Sequence, residues 1–435
     1  MKIWTGYTEL NRISSTAGGL VVITLITGIL AGSYPAVYLS RFSPVAVMKG
    51  EFGISSKAWL RKTLVVVQFT LSVFLVVGTL LVYKQLNYMQ QRKLGYDKEH
   101  VLYTRLHGDI RNSYEVIREA FAGAPEVQHV TAAGHLPSHI GSSSGSVDWD
   151  GKDPEQSVLV SQSIVDFDYI ETLKIPIAQG RSFSRDYSTD RATDSTGAFI
   201  INEEMARIME KDNLIGERFS FMGMEQGQII GVMKNFHFHS MRKAIEPLAI
   251  AVAYPQFLNY MMVRLRPGNV KNSIDKLKAI WQEVMPQYPF EHHFLDEQYD
   301  DMYRAETRMG ALLKYFAIMA VLIACLGLLG LAAFMAENRT KEIGIRKALG
   351  STSQQIVVLL SREFSRLVAI ATLIAIPASW VYLDHWLQDY AYKTSLSWWI
   401  FALAAVLAFV IALLTVSYQA IKAARANPSN SLRYE

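Results

Sequence analysis

The sequence predicts an α-helical membrane protein of five spans with a large extracytoplasmic mixed α/β domain of two subdomains. Three observations predict it. Half of the 435 residues are hydrophobic and 19% are charged, a balance that lies between soluble and wholly embedded chains. Several apolar runs reach the length of about 20 residues that a bilayer requires. Between the second and third of them lies a long aqueous stretch, from about residue 85 to residue 309.

The apolar runs are Gly18 to Leu39, Thr63 to Tyr83, Ala311 to Ala336, Leu367 to Leu383 and Trp398 to Tyr418. The fourth is the shortest and contains Pro377. The first begins too late and is too long for a cleaved signal peptide, and no small-residue cleavage pattern follows it. Basic residues fix the orientation. Arg41, Lys49, Lys57, Arg61 and Lys62 lie between the first two spans. Arg339, Lys341, Arg346, Lys347, Arg362 and Arg366 lie between the third and fourth, and Lys422, Arg425 and Arg433 follow the fifth. With five spans all three groups share one side, which the positive-inside rule makes cytoplasmic. The large region is then outside and the C-terminus inside.

Two segments align without a gap: "SYPAVYLSRFSPVAVMKGE" (Ser33–Glu51) and "SYQAIKAARANPSNSLRYE" (Ser417–Glu435). Each follows a span, so residues 1–57 read as the last span and exit of a preceding repeat unit. Convergence of membrane-exit segments on basic and small residues is the alternative account of the same match. Residues 58–94 form a span and stalk helix, with Gly95 as its cap. Residues 95–295 form the external domain, and residues 296–435 a second stalk helix with three spans.

Period-2 patterns mark strands at 100–106, 126–133, 260–266 and 290–295. Helical patterns over Asn112–Phe121 and over Ile274–Val284 complete two β-α-β units. These flank an insertion of about 138–245; strand-like pieces lie at 228–233 within it and at 248–254 just after it. "DEQYDDMYRAETRMGALLKY" then runs with few breakers into the third span.

Several chemistries are missing from the pattern. No "GxxxxGK[ST]" loop occurs, so the chain is not its own P-loop ATPase. The lone Cys325 precludes an intramolecular disulfide and argues against a cysteine metal site. His237 and His239 would share a strand face, yet no third ligand stands nearby in sequence. His292 and His293 would face opposite ways, and "SSSGS" (142–146) lacks the turn of a nucleophile elbow. The span cores carry no Asp, Glu, Lys, Arg or His, with Gln68 their most polar side chain, which argues against ion-coupled transport. Ala324, Gly327 and Gly330 form a small-residue face suited to helix packing.

"ENRTKEIGIRKALGSTSQQI" (Glu337–Ile356) follows the third span directly. Glu337 to Leu349 reads as a short helix with Ile345, Ala348 and Leu349 on one face, ended by Gly350. Ser351 or Thr352 caps the next helix, with Gln354 or Gln355 at the capping-box position. Physically this is a charged knob held between two spans. A solvated positive-inside loop, or a helix on lipid headgroups, accounts for the same residues.

The segment closely resembles the cytoplasmic loop of MacB/FtsX-type ABC transporter permeases. The resemblance rests on Glu337, Arg339, Glu342, Ile343, Gly344, Arg346, Ala348, Leu349 and Gly350. It covers residues 58–435 as one unit, with 1–51 similar to the tail of the first half in double-length members. It implies porter-like and sabre-like subdomains in a MacB-like core domain. It also implies a separate ABC ATPase dimer, which binds ATP and Mg, docked on Glu337, Arg339, Lys341, Glu342, Ile345, Arg346, Lys347 and Leu349. No catalytic, metal or cofactor site is expected in this chain itself. The implied function is mechanotransmission for export or extraction of a peptide, lipoprotein or drug-like substrate. An FtsX-like regulator of an external cell-wall hydrolase is the alternative use. A membrane-anchored sensor or scaffold without ATPase is the alternative of another class. The bilayer is a partner in every case. A second permease half, a second copy and a periplasmic adaptor are further candidates; nucleic acid is not.

Overall fold

The computed structural model describes residues 55–193, 196–221, 227–339 and 349–425, together with scattered residues from 18 to 29 and residues 342, 345 and 346. Most of the expected first span and both members of the aligned pair Ser33–Glu51 and Ser417–Glu435, apart from residues 417–425, lie outside the described residues.

Helix α1 (Ser55–Gln91) leads into the α/β domain. Its expected cap at Gly95 is not observed, because the helix stops at Gln91. Gly95 has another task. Its φ of 88° and the approach of the chain to Asn235 and Phe236 leave no room for a Cβ, which would sit 2.6 Å from the Asn235 carbonyl oxygen.

The domain begins with β1 (Val101–Arg105), α2 (Asp109–Asn112), α3 (Tyr114–Ala122) and β2 (Val127–Ala133). Next come β3 (Ser143–Ser144), β4 (Asp148–Trp149), β5 (Val160–Val165), α4 (Tyr169–Leu173) and β6 (Ile177–Gly180). They are followed by β7 (Ala198–Asn202), α5 (Glu203–Met209), β8 (Phe219–Ser220), β9 (Gln228–Met233) and β10 (Leu248–Val252). The last elements are β11 (Tyr260–Leu265), α6 (Val270–Val284), β12 (His293–Phe294) and α7 (Leu295–Met302).

One sheet runs β12-β1-β11-β2-β5-β10-β7-β9-β6, with β3 alongside β5. β11 lies antiparallel between β1 and β2, so the first β-α-β unit is split by a strand from the second. The expected strand at 290–295 shrinks to two residues. Phe290 stacks on His292 with ring centres 5.1 Å apart, and Trp281 Nε1 donates to the Tyr288 carbonyl 2.9 Å away, which holds that chain off the ladder.

Strand alternation divides the core between the two faces. Leu102, Val130, Met261 and Val263 pack with Tyr114, Ile117, Phe121, Leu277 and Trp281 of α3 and α6. Val101, Tyr103, Ala133 and Met262 turn the other way, onto Leu86 and Met89 of α1 and Tyr299 of α7. Farther along the sheet, Phe199 and Ile201 pack with Met205, Phe219 and Phe221, while Ala198 and Ile200 join the cluster on the α1 side. Fully burying each such side chain contributes about 1.5–3 kcal/mol. The sheet is thinnest between β2 and β5, which share the single register pair Ala133–Val165.

Helix α8 (Arg304–Asn338) follows α7 after a break at Tyr303, where one continuous helix was expected. The buried Tyr303 ring lies 5.2 Å from Tyr299, and its hydroxyl accepts from Met241 N at 3.1 Å; holding the side chain inward turns the backbone there. α9 (Ser353–Gln388) contains Pro377 and continues to α10 (Trp398–Arg425) after a short link. Among the described residues four helices are long and apolar enough to cross a membrane, within α1, α8, α9 and α10. The small-residue face of α8 is used in part. Ala324 is buried, and a Cβ on Gly327 would meet Gln68 Oε1 at 2.4 Å, but Gly330 has open space around it.

One buried charge ties the domain to the end of α1. Arg264 of β11 is 2% exposed. Its Nε donates to Thr172 O (2.5 Å), Nη1 to Glu99 O (3.0 Å) and Asp97 Oδ2 (3.3 Å), and Nη2 to Asp97 O (2.6 Å). A planar fork matches this set of acceptors; an ammonium would not. Removing a buried charged partner costs about 3–5 kcal/mol. Arg264→Ala is therefore expected to lower the thermal midpoint of the domain by roughly 10 °C, with Arg264→Lys recovering only part of it. Equal melting of wild type and both variants would show that the guanidinium is not needed.

Candidate functional site

Two regions of the described chain join membrane-length helices to something else. The first is a collar where α1, the α/β domain, α8 and the α9–α10 link meet. Gln85 of α1 is 1% exposed, and its carboxamide closes both ends of a contact with the link. Nε2 donates to Tyr392 O at 2.9 Å, and Oε1 accepts from Thr394 N at 2.8 Å. The preceding residue, Lys84, donates through Nζ to Ser395 O and Ser397 Oγ, at 2.8 and 2.7 Å.

The link also grips the domain. Ala391 N donates to Arg242 O (3.0 Å) and Tyr392 N to Met241 O (3.3 Å). Arg242 reaches both Glu306 of α8 at 2.9 Å and the Tyr390 hydroxyl at 3.2 Å. Tyr392 lies under the Arg92 guanidinium, 4.3 Å away, and edge-on to His237 at 4.7 Å. Finally, His237 N donates to Leu94 O at 2.7 Å, and Tyr299 OH to Met89 O at 3.3 Å.

His237 and His239 do not share a strand face. Their segment follows β9 without strand pairing, and the rings diverge. His237 turns to Tyr392, whereas His239 lies 5.9 Å from the His139 ring and 3.4 Å from Glu246. Burial pushes the His237 pKa down to about 4, and the Arg92 charge acts in the same direction. The fold therefore holds this imidazole neutral.

The second region is the far end of α8, roughly 50 Å along the helix from the collar at 1.5 Å per residue. Glu337 lies in the last turn of α8, which stops at Asn338, so the expected helix from Glu337 to Leu349 is interrupted at Arg339. There Arg339 Nη2 pairs with Glu363 Oε2 of α9 at 3.0 Å. Glu342 and Arg346 form an i,i+4 pair at 2.8 Å. Ile345 and Leu349 are exposed, Leu349 by 81%. Lys341 and Lys347 lie outside the described residues.

Leu349 N donates to Ile345 O and Ser351 N to Arg346 O, with Gly350 at φ 92°, the Schellman arrangement. Thr352 and Gln355 then form a complete capping box on α9. Sequence reasoning missed Glu363 as the partner of Arg339. The available signal was a single acid between Arg362 and Arg366 in an otherwise basic stretch. It also missed the α9–α10 link, whose signals were Tyr390, Tyr392 and the polar Gln85 just past an apolar run.

Residues 64–280 match the family of MacB-like periplasmic core domains, and residues 315–428 match the FtsX-like permease C-terminal family. The chain belongs to the MacB/FtsX-like ABC transporter permeases. The permease is 24% identical over 284 residues to the "Uncharacterized ABC transporter permease YknZ" of Bacillus subtilis, a match covering 61% of this chain and 68% of that one. It is 22% identical over 283 residues to the "Macrolide export ATP-binding/permease protein MacB" of Chromobacterium violaceum, covering 62% of this chain and 42% of that protein. The periplasmic region of MacB from Actinobacillus actinomycetemcomitans aligns at 12% identity and a TM-score of 0.34, over 49% of this chain and 98% of that structure.

The His237 environment gives a pH prediction. The unfolded imidazole titrates near 6.5 and the folded one near 4. The contribution to stability is thus complete above about pH 6.5 and is lost as the pH falls toward 4. Across that window His237→Asn is expected to flatten the pH dependence of thermal stability by at most one proton, about 1.4 kcal/mol per pH unit. A slope identical to wild type would show that His237 is not held neutral.

Proposed function

We propose that this permease is the membrane subunit of an ABC transporter and works by mechanotransmission. ATP is hydrolysed by a separate ATPase dimer, and the movement is passed to the α/β domain. The observation that carries the reading is the pair of uninterrupted helices, α1 and α8, that join the collar to the membrane-length segments. A 35-residue helix such as α8 transmits displacement over its length because its backbone bonds are closed internally.

In this reading the multi-pass chain sits in the cell membrane with the α/β domain outside and the C-terminus in the cytoplasm. The ATPase meets the segment after α8. Ile345 and Leu349 offer apolar anchors, and Arg346 and Lys347 supply positive charge around them. Arg339 has a separate role: its pair with Glu363 locks the end of α8 to α9, so a push on the knob reaches both helices. Porter-like and sabre-like subdomains correspond to the sheet halves on either side of the thin β2–β5 junction. The substrate is exported or extracted as a peptide, lipoprotein or drug-like molecule. It need not pass between the helices, whose apolar stretches offer no charged path.

Co-purification of the detergent-extracted permease with a candidate ATPase tests the dock. Arg346→Glu/Lys347→Glu is expected to reduce recovery of the ATPase at least tenfold, while Arg339→Gln retains binding but uncouples nucleotide-dependent movement of the external domain. Equal recovery by wild type and the double variant would move the dock elsewhere. Failure of the wild type to bind any candidate would favour the sensor reading.

A further inference from the structure

The aromatic residues of α10 mark where a bilayer meets the permease. Trp398 is 77% and Tyr418 68% exposed, at opposite ends of the apolar stretch. At 1.5 Å per residue they lie about 30 Å apart, the thickness of a hydrocarbon core. Exposed Trp and Tyr favour its two interfaces, so Trp398 lies at the boundary on the α/β-domain side. Contacts carry that level to the other elements. Lys84 Nζ of α1 reaches Ser397 Oγ, next to Trp398, and the preceding Tyr83 is exposed. A Cβ on Gly310 of α8 would lie 3.9 Å from Tyr83 Cζ, which places Gly310 at the same height. Gln85 holds Thr394 N, and so fixes Lys393 there too.

An excess of Lys and Arg is the mark of cytoplasmic ends. The opposite end of these helices carries one as well. Residues 83–93 contain Lys84, Arg92 and Lys93 and no acid. Residues 304–314 contain Arg304, Arg308 and Lys314 against one acid, Glu306, which is buried and paired with Arg242. Some of these cations are already engaged. Lys84 is bound to the link, Arg304 pairs with Asp301, and Arg92 lies over Tyr392 past the end of α1. Arg308, Lys314 and Lys393 are exposed and, among the described residues, pair with no carboxylate. The exposed acids nearest this level in sequence, Asp384 and Asp389, belong to the end of α9.

We propose that Arg308, Lys314 and Lys393 form a docking surface for anionic phospholipid headgroups of the leaflet adjoining the α/β domain. Headgroups fill the first 5–7 Å or so outside the hydrocarbon core. Arg308 stands about 3 Å beyond Gly310 on that side. Lys314 starts about 6 Å within the core, a depth from which its four-carbon stem lifts the ammonium to the phosphates. Leu312 and Tyr315 follow Arg308 at i+4 and i+7, so an acyl chain descends along the same exposed face. Each Lys or Arg beside an anionic surface strengthens binding about fivefold. The inference goes beyond the transport reading. It requires the helices to lie in a bilayer and requires no ATPase.

The test uses the full-length permease with benzoylphenylalanine in place of Leu312, one turn from Arg308. It is assembled into nanodiscs of phosphatidylcholine with phosphatidylglycerol as the minor lipid, irradiated, and its adducts identified by mass spectrometry. Phosphatidylglycerol is expected among the adducts at fivefold or more above its share of the bilayer. Arg308→Gln/Lys314→Gln/Lys393→Gln, which alters three exposed side chains, should return it to that share with unchanged thermal unfolding. Adducts at the bilayer share in the unsubstituted background, or enrichment that survives the triple variant, would overturn the proposal. So would capture of a second permease chain, since this face would then be an interface between copies. The same probe in place of the exposed Leu322, deeper in α8, separates the two readings. Lipid adducts there without selectivity at 312 would defeat the headgroup site alone. Lipid adducts at neither position would defeat the membrane placement along with it.

Discussion

The Arg264 guanidinium holds together the place on which everything else depends, the point where the chain leaves α1 and enters the domain. A buried cation is tolerated only where nearby acceptors replace its hydration. Here the acceptors come from Asp97 and Glu99, just after α1, and from Thr172 at the end of α4. The Asp97 carboxylate also takes Lys174 Nζ at 2.8 Å, and Asp97 N donates to Leu173 O at 2.8 Å. The junction thereby joins the central strand β11 to the segment after the membrane helix with little freedom between them. On the proposed mechanotransmission reading, this junction is where a displacement of α1 would reach the sheet.

The collar adds a second connection with a different character. Where Arg264 is buried deeply, Arg242 is half exposed and shared between Glu306 of α8 and Tyr390 of the α9–α10 link. An exposed pair of this kind contributes little to stability on its own. Its value is positional, because the same stretch, Met241–Arg242, also accepts two backbone bonds from the link. Gln85 then fastens the link to α1. α1, α8, the α9–α10 link and the domain thus converge within a few residues of one another, and none can shift axially without disturbing hydrogen bonds made by the others.

Much of this was legible in the sequence, and the failures have physical causes. The strand at 228–233 and the long helices follow from period and apolar length, which are local properties. Gly350, Thr352 and Gln355 were legible because helix stop and start signals act within a few residues. Gly95 misled. Its positive φ is real, but a close backbone approach by Asn235, distant in sequence, requires it rather than a helix end. Tyr303 breaks a helix that its neighbours favour because its side chain is captured by Met241 and Tyr299, another tertiary effect. The knob residues Lys341 and Lys347 lie outside the described residues, so their positive charge is known from sequence alone.

On the proposed mechanotransmission reading, paired levers would explain why the apolar stretches carry so few polar groups. Gln68 of α1 meets Gly327 of α8 deep in the apolar stretch, and Gly310 of α8 lets Val82 of α1 approach near the collar, where a Cβ would lie 3.4 Å from Val82 Cγ1. Beyond them Tyr299 donates to Met89 O. The two glycine contacts are spaced along α1 and α8, while the Tyr299 contact comes from α7 beyond the break at Tyr303, so α1 and α8 are held together at two depths. Close approach at glycine is how helices associate where lipid removes the hydrophobic driving force. A carrier that moves ions needs polar groups at mid-depth. A pair of coupled levers needs only length, internal hydrogen bonding and fastening points, and those are the features that α1 and α8 possess.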